Sequence, residues 1–438
     1  MSRFALALWV WEQTGQAAPM ALAIFAFALP SILFSPISGA LVDRWDKKWV
    51  MALSDIGNGL GIIVLYFLYQ ADGLQIWHIY AVSAVGGLFE SFQWPAYSAA
   101  ISTMLPQKHY ERASGMMSLA EWGSQIIAPV LASVFYVSLG LGGLLAIDTI
   151  TFVLALACLA VVHIPAAAVS VEGAASRGSL WQESLFGFRY IWARPSLLLI
   201  QLIFTTLNLT GAINTAVTRP RILTLTDDNG FILGLVESLA SAGGVIGALA
   251  LMFWGGPRPR IHGVLLSTFF ASLCGGVVLG ISDKPQVWAA ALFLGAMSLP
   301  ILNGSNQAIW QAKVPPDLQG RVFSVRRMIA QITFPLGLVV TGFSTDYIFE
   351  PAMQPGGALA GSFGWLVGTG PGAGMGLLLV VSGLIGMAAG IIGYGVPLIL
   401  QAESLLPDHE GGPKADSILV EEALPNTEEV PILSAAGG

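Results

Sequence analysis

Gly39-Ala40-Leu41-Val42-Asp43-Arg44-Trp45-Asp46-Lys47-Lys48 sets five charges between two long apolar runs, 18–41 and 49–71. A bilayer core about 30 Å thick takes about 20 mostly apolar residues per helix. By that ruler the two runs are membrane spans and the charged stretch is the short loop joining them. Working outward, further runs lie at 76–104, 114–138, 140–163, 196–218, 231–254, 262–282, 286–311, 323–347 and 374–400, which makes eleven of full length. Residues 1–16 form a shorter one, apolar from Phe4 to Trp11 and ended by Glu12-Gln13-Thr14-Gly15. With no charged leading region or small-residue cleavage site, it reads as part of a first helix rather than a signal peptide. Either the true start lies upstream, or the protein works with a half-span.

Composition agrees. Of 438 residues, 55% are apolar and 10% charged, whereas soluble domains carry roughly 25% charged residues. The 51 glycines and 13 tryptophans suit helices packed closely in lipid with aromatic rings at the interfaces. Cys158 and Cys274 lie inside apolar runs, and the five histidines form no H-E-x-x-H pair. No cofactor, metal or enzymatic activity is therefore expected. The net charge of −7 resides in residues 401–438, with eight acids against Lys414; the rest of the chain is balanced. That tail reads as acidic and disordered, and no free basic patch invites nucleic acid.

Basic residues fix the orientation. One set of alternate loops holds Arg44, Lys47, Lys48; Lys108, Arg112; Arg177, Arg189, Arg194; Arg258, Arg260; and Lys313, Arg321, Arg326, Arg327. The opposite loops hold Arg219, Arg221 and Lys284. The positive-inside rule makes the first set, the even-numbered loops, cytoplasmic together with the acidic C-terminus, in a multi-pass protein of the cell membrane.

The longest polar gap, 164–195, divides the spans six and six if the first helix counts. Its spacing of Leu180, Trp181, Phe186, Phe188, Tyr190 and Trp192 predicts an interfacial helix on the inner leaflet. The halves echo one another. Pro106 to Arg112 and Pro315 to Arg321 share their spacing and sit 209 residues apart in equivalent loops. The organisation expected is thus a six-helix half at 1–163 (first helix partial), a linker at 164–195, a six-helix half at 196–400 and the tail at 401–438.

In this setting Gly39–Lys48 resembles the signature G-x-L-A-D-R-x-G-R-K of the major facilitator superfamily. Gly255-Gly256-Pro257-Arg258-Pro259-Arg260 looks like its eroded counterpart. Asp46 in place of the second glycine is similar to a branch of bacterial drug, macrolide and siderophore exporters. Glu12-Gln13-Thr14-Gly15, Trp94-Pro95-Ala96-Tyr97, Ile147-Asp148-Thr149 and Trp310–Val322 look like the same branch. Ala128-Pro129-Val130-Leu131-Ala132 departs from the family's G-P-x-x-G-G exporter pattern. The resemblance implies an all-α membrane fold of twelve helices in two pseudo-symmetric halves, with the first helix cut short. It implies a gating role for Gly39, Asp43, Arg44, Asp46, Lys47 and Lys48, with Asp43 meeting the start of the eleventh helix. The bland alternative is that the cations only enforce topology.

Six acids fall in or at the rims of apolar runs: Glu12, Asp55, Glu90, Glu121, Asp148 and Glu237. An ionised acid at the midplane costs a few kcal/mol, so each requires water, a partner or a proton. The family plan puts helices 1, 4, 7 and 10 around a central cavity. The implied lining is Glu90, Gln93, Trp94, Asn208, Asn214, Asn303, Asn306 and Trp310, which suits an amphipathic substrate. Glu90 is the candidate for substrate or proton. Asp55, Glu121 and Glu237 are candidate proton relays, polar glue between helices being the plainer reading. Glu12 and Asp148 are expected at the outer rim. Segment 348–373, rich in Gly and Pro, reads most simply as a flexible outer loop, with an ordered lid as the alternative. No P-loop appears, so an ion gradient is the expected energy source.

The function implied is proton-coupled efflux of a small amphipathic molecule by a monomer. Its partners would be that substrate, protons or another coupling ion, and the lipid bilayer. The alternatives are uptake or facilitated diffusion of a metabolite, and a transport-incompetent membrane sensor.

Overall fold

A computed structural model describes residues 6, 9, 10, 13, 17–165, 179–227, 229–406 and 408. Helices occupy all eleven full-length apolar runs: α1 (Ala17–Leu33) with α2 (Ser35–Arg44), α3 (Lys47–Gln70), α4 (Ile76–Met104), α5 (Tyr110–Val161, covering two runs), α7 (Pro195–Leu225), α8 (Gly230–Trp254), α9 (Ile261–Ile281), α10 (Pro285–Lys313), α11 (Gln319–Ser344) and α12 (Ala373–Gly395). Between the halves lies α6 (Leu180–Trp192). Among the described residues seven helices are long and apolar enough to cross a membrane, and the bent pair α1–α2 makes an eighth.

The breaks have local causes. Pro30 inside α1 and Pro36 in the first turn of α2 remove helical N–H donors, and the axis turns by 55° between them. Inside α5, Gly140 adopts φ 66°, which glycine tolerates without a Cβ clash; there the polypeptide leaves one span and enters the next. In α9, Leu273–Val278 winds as a π-helix against α12, where a Cβ on Gly276 would lie 2.4 Å from the Gly383 Cα. Of the first run, Leu6 and Val10 are buried among Leu65, Ile79 and Leu144.

The halves meet mainly along two crossings, α2 with α11 and α5 with α8 and α10. At the second, a Cβ on Gly115 would lie 2.6 Å from the Met252 nitrogen. Three sequence expectations need correction. Segment 348–373 is an ordered cap rather than a flexible loop. It holds short helices at Glu350–Met353 and Ala360–Val367, and the Glu350 carboxylate accepts the Gly372 and Met375 N–H groups at 3.1 and 2.8 Å. Arg326 and Arg327 lie within α11, not in a loop, because that helix starts at Gln319 and Arg326 is buried beside α7 and α10. Arg221, counted with the loops, is buried in α7, where its guanidinium caps the Leu279, Gly280 and Ser282 carbonyls ending α9. The helix expected between the halves forms as α6, which buries one face, including Glu183 and Ile191, in protein and leaves Trp181, Leu185 and Trp192 exposed. The tail beyond Asp408 and residues 166–178 lie outside the described residues.

Candidate functional site: a latch, a bridging ion pair and a cavity

Asp43 sits in the last turn of α2, its side chain fully buried. Its carboxylate accepts the Gly320 N–H at 2.7 Å and the Arg321 N–H at 2.9 Å, the free donors of the first turn of α11. A helix start favours an anion through these donors and its dipole. The Arg321 Nε lies 3.4 Å away. Close approach depends on two glycines: a Cβ on Gly320 would lie 2.3 Å from Asp43 Oδ1, and one on Gly39 would lie 2.0 Å from Ser324 Oγ.

Arg44 turns to α6, where its Nε and Nη2 each donate to Glu183 at 2.9 Å. Glu183 also faces Arg321 Nη2 at 3.4 Å. A chain of charges thus runs Asp43–Arg321–Glu183–Arg44 and ties both halves to the linker helix. Three members of the quoted decapeptide do other work. Asp46 caps α3 by accepting the Trp49 N–H at 3.1 Å. Lys47 is buried near Asp43. Lys48 donates to the Ala160 carbonyl at 2.7 Å, at the far end of α5.

The second crossing carries a related arrangement that the sequence reading did not single out. Glu111, in the first turn of α5, is 2% exposed, accepts from Ser305 Oγ at 3.3 Å and lies 3.9 Å from Arg260. Burial pushes its carboxyl up to about 7, against the opposing pull of Arg260. Arg260 also donates to the Gln107 carbonyl at 2.9 Å.

The proposed cavity lining separates into distinct places. Asn208, Asn214 and Asn303 face a cavity of about 340 Å³ among α7, α8, α9 and α10, floored by Phe204 and bordered by Gly275 of the π-turn. Asn208 donates to the Phe204 carbonyl, and Asn214 accepts from Ser382 of α12 at 2.8 Å. Asn306 and Trp310 do not line it. Both are fully buried one and two turns further along α10, because that part of the helix is enclosed by α7 and α11. Glu90 of α4 lies 3.9 Å from Arg327 of α11, a bridging pair between the halves. Trp94 packs one turn away, its ring 6.2 Å from Phe323 and 5.5 Å from the Arg327 guanidinium. Gln93 points elsewhere, donating to Asp55 at 2.7 Å within the first half.

Glu237 pairs with Arg219 of the neighbouring α7, both exposed, so it sits inside one half rather than between the two. Glu121 is exposed on α5. Asp148 is half-buried on α5, and Glu12 lies outside the described residues.

Comparison with known proteins follows this geometry. The profile described as Major Facilitator Superfamily matches residues 1–338. Macrolide efflux protein A of Streptococcus pyogenes is 26% identical over 363 residues, covering 79% of this chain and 85% of the relative. Multidrug efflux pump Tap of Mycolicibacterium fortuitum is 24% identical over 355 residues, covering 77% and 83%. A bacterial homologue of the iron transporter ferroportin, solved in an outward-facing state, superposes with a TM-score of 0.64 at 14% identity, covering 92% of this chain and 95% of that one.

Proposed function

The chain belongs to the Major Facilitator Superfamily, a family of membrane transporters rather than enzymes, and we propose that it exports a small amphipathic molecule by coupling to protons that move down their gradient. The substrate classes favoured are drugs, macrolide-like compounds and siderophores, in keeping with relatives named for macrolide and multidrug efflux. In this reading two six-helix halves rock about the middle of the membrane, and the basic loops and acidic tail face the cytoplasm. The Asp43–Arg321–Glu183–Arg44 chain holds the cytoplasmic end shut while the cavity opens outward.

The observation that carries the coupling is the Glu90–Arg327 pair between α4 and α11. An acid in a span is costly when charged unless a partner stands by. A proton arriving at Glu90 removes its charge and loosens the bridge, so proton occupancy and the separation of the halves are linked. Gradient energy reaches the substrate through that linkage.

The experiment is transport by the purified chain in lipid vesicles with an imposed proton gradient. The substrate is first identified by the sensitivity of a deletion strain to a macrolide, dye and siderophore panel. Substrate accumulation should follow the gradient, and Glu90→Gln should abolish that dependence while substrate exchange without a gradient persists. Accumulation indifferent to the gradient in the unaltered protein, or gradient-driven flux at an unaltered rate in Glu90→Gln, refutes the reading.

A further inference from the structure

Below the Phe204 floor of the cavity lies a cation with no counter-charge. Arg326 of α11 is 6% exposed, and among the described residues no carboxylate pairs with it. Its Nη1 donates to the Gln307 Oε1 at 2.9 Å. Around the guanidinium stand three aromatic faces: the ring centroids of Trp310, Phe323 and Phe204 lie 5.1, 5.7 and 5.9 Å away. Phe204 belongs to both places, lining the cavity and facing the arginine.

The polar groups nearby include donors and acceptors without partners, the Gln201 Oε1 beside the Arg326 carbonyl among them. Asn306 is fully buried, and neither its nitrogen nor its oxygen has a partner; the Trp310 Nε1 and the Arg327 Nη1 are also unpartnered. Asn306 follows Asn303 of the cavity by one turn of α10 and precedes Gln307, the residue that holds Arg326. Thus an exposed amide in the cavity, a buried amide and a buried guanidinium succeed one another toward the basic end. Arg327, next in sequence, differs: Glu90 lies 3.9 Å from it, and the charge of Glu121 also reaches it.

A buried ion without a partner is the expensive case, since desolvation is then uncompensated. Aromatic faces return only part of the lost hydration. An anionic group with oxygen acceptors would satisfy the guanidinium and the amide together. The apolar walls of the cavity suit a hydrocarbon body attached to that group. We propose that Arg326 and Asn306 form an acid-recognition subsite at the foot of the cavity, and that the exported amphiphile carries a carboxylate or a comparably acidic group. This deepens the export reading by naming the charge of the substrate, and it rests on that reading.

The test is equilibrium binding to the purified full-length chain in detergent, with radiolabelled ibuprofen as the probe and its methyl ester as the uncharged match. Neither measurement involves a gradient, so failure of proton coupling leaves this result untouched. The acid should bind about tenfold or more tighter than the ester, the scale of a charge-assisted pair. Arg326→Met should erase that preference. Arg326→Lys, which keeps the charge without the planar fork, should retain part of it. Equal binding of acid and ester, no saturable binding of the acid, or an intact preference in Arg326→Met overturns the assignment. Should Arg326→Met fail to fold, the acid–ester comparison in the unaltered chain and Arg326→Lys still decide it.

Discussion

Replacing Asp43 with Asn tests the proposed latch most directly, because the change conserves shape and removes only charge and one acceptor. In the shut form the carboxylate takes two backbone N–H groups at 2.7 and 2.9 Å and neighbours the Arg321 Nε at 3.4 Å. A hydrogen bond to a charged group contributes about 1.5–3 kcal/mol net. Its place at a helix start adds about 0.3–1 kcal/mol. Asparagine keeps one acceptor bond but turns its amide hydrogens on the second N–H, so the shut form loses about 2–4 kcal/mol relative to the open one. At about 1.4 kcal/mol per factor of ten, the open population rises between one and three orders of magnitude. The assay is maleimide labelling of a Ser98→Cys reporter in a background without Cys158 and Cys274. Ser98 is 1% exposed on α4, and its carbonyl accepts from Gln311 of α10 across the interface between the halves. Labelling should accelerate by about tenfold or more in Asp43→Asn. An unchanged rate in a variant that folds and inserts normally would show that the carboxylate does not hold the ends together.

The same reporter reads the pH dependence of the second crossing. The Glu111 carboxyl stands at about 7 in the shut form because burial raises it, and opening to water returns it toward the ordinary glutamate value of about 4.3. The shut form therefore binds the proton more tightly; its advantage is greatest at low pH and is lost as pH rises through about 7. Labelling, normalised to the unfolded protein at each pH, should rise between about pH 4 and 7 and level off above, and Glu111→Gln should flatten the profile; a profile unmoved by that change removes Glu111 from the gate. Glu183→Gln addresses the linker. Glu183 is fully buried between Arg44 and Arg321, so its loss should cost about 3 kcal/mol. The more exposed Arg44→Gln should cost clearly less. The thermal midpoints of the two variants in detergent check the order.

What the sequence disclosed follows from which forces are local. Spans were legible because lipid imposes a length ruler on every apolar run, and α6 was legible because its aromatic spacing is a local signal. The meeting of Asp43 with the start of α11 was available through the family resemblance, since nothing in the composition of residues 39–48 says which distant helix they touch. Burial that depends on partners was not legible. Arg326 and Arg327 sit two turns inside α11, yet a sequence count places them with the loop cations because the helix start at Gln319 is polar. Glu183 is one of two acids in the linker, and only the docking of α6 makes it the centre of three charges. Glu237 drew attention as a charge in an apolar run, but its neighbour Arg219 answers it within the same half.

The 209-residue echo acquires a physical meaning at the two crossings. It aligns Glu111 with Gly320, the one a buried carboxylate and the other the glycine against which a carboxylate packs. Gly320 has no room for a Cβ because Asp43 Oδ1 would lie 2.3 Å from it; Gly256 has none because Glu111 Oε1 would lie 2.4 Å from it. Each crossing therefore joins one carboxylate to one glycine, and the segment that supplies the carboxylate is exchanged: the loop-side turn in one case, the helix start in the other. The exchange changes the chemistry. Asp43 lies on the free N–H groups of a helix start, which favour the charged form, yet its burial outweighs them and pushes the carboxyl up to about 7. Glu111 occupies such a start itself but turns to a hydroxyl and an arginine 3.9 Å away, under burial that favours the protonated form. A duplicated fold has thereby acquired two closures that each bury a carboxyl pushed up to about 7, one met by the N–H groups of a helix start and the other by a hydroxyl and an arginine.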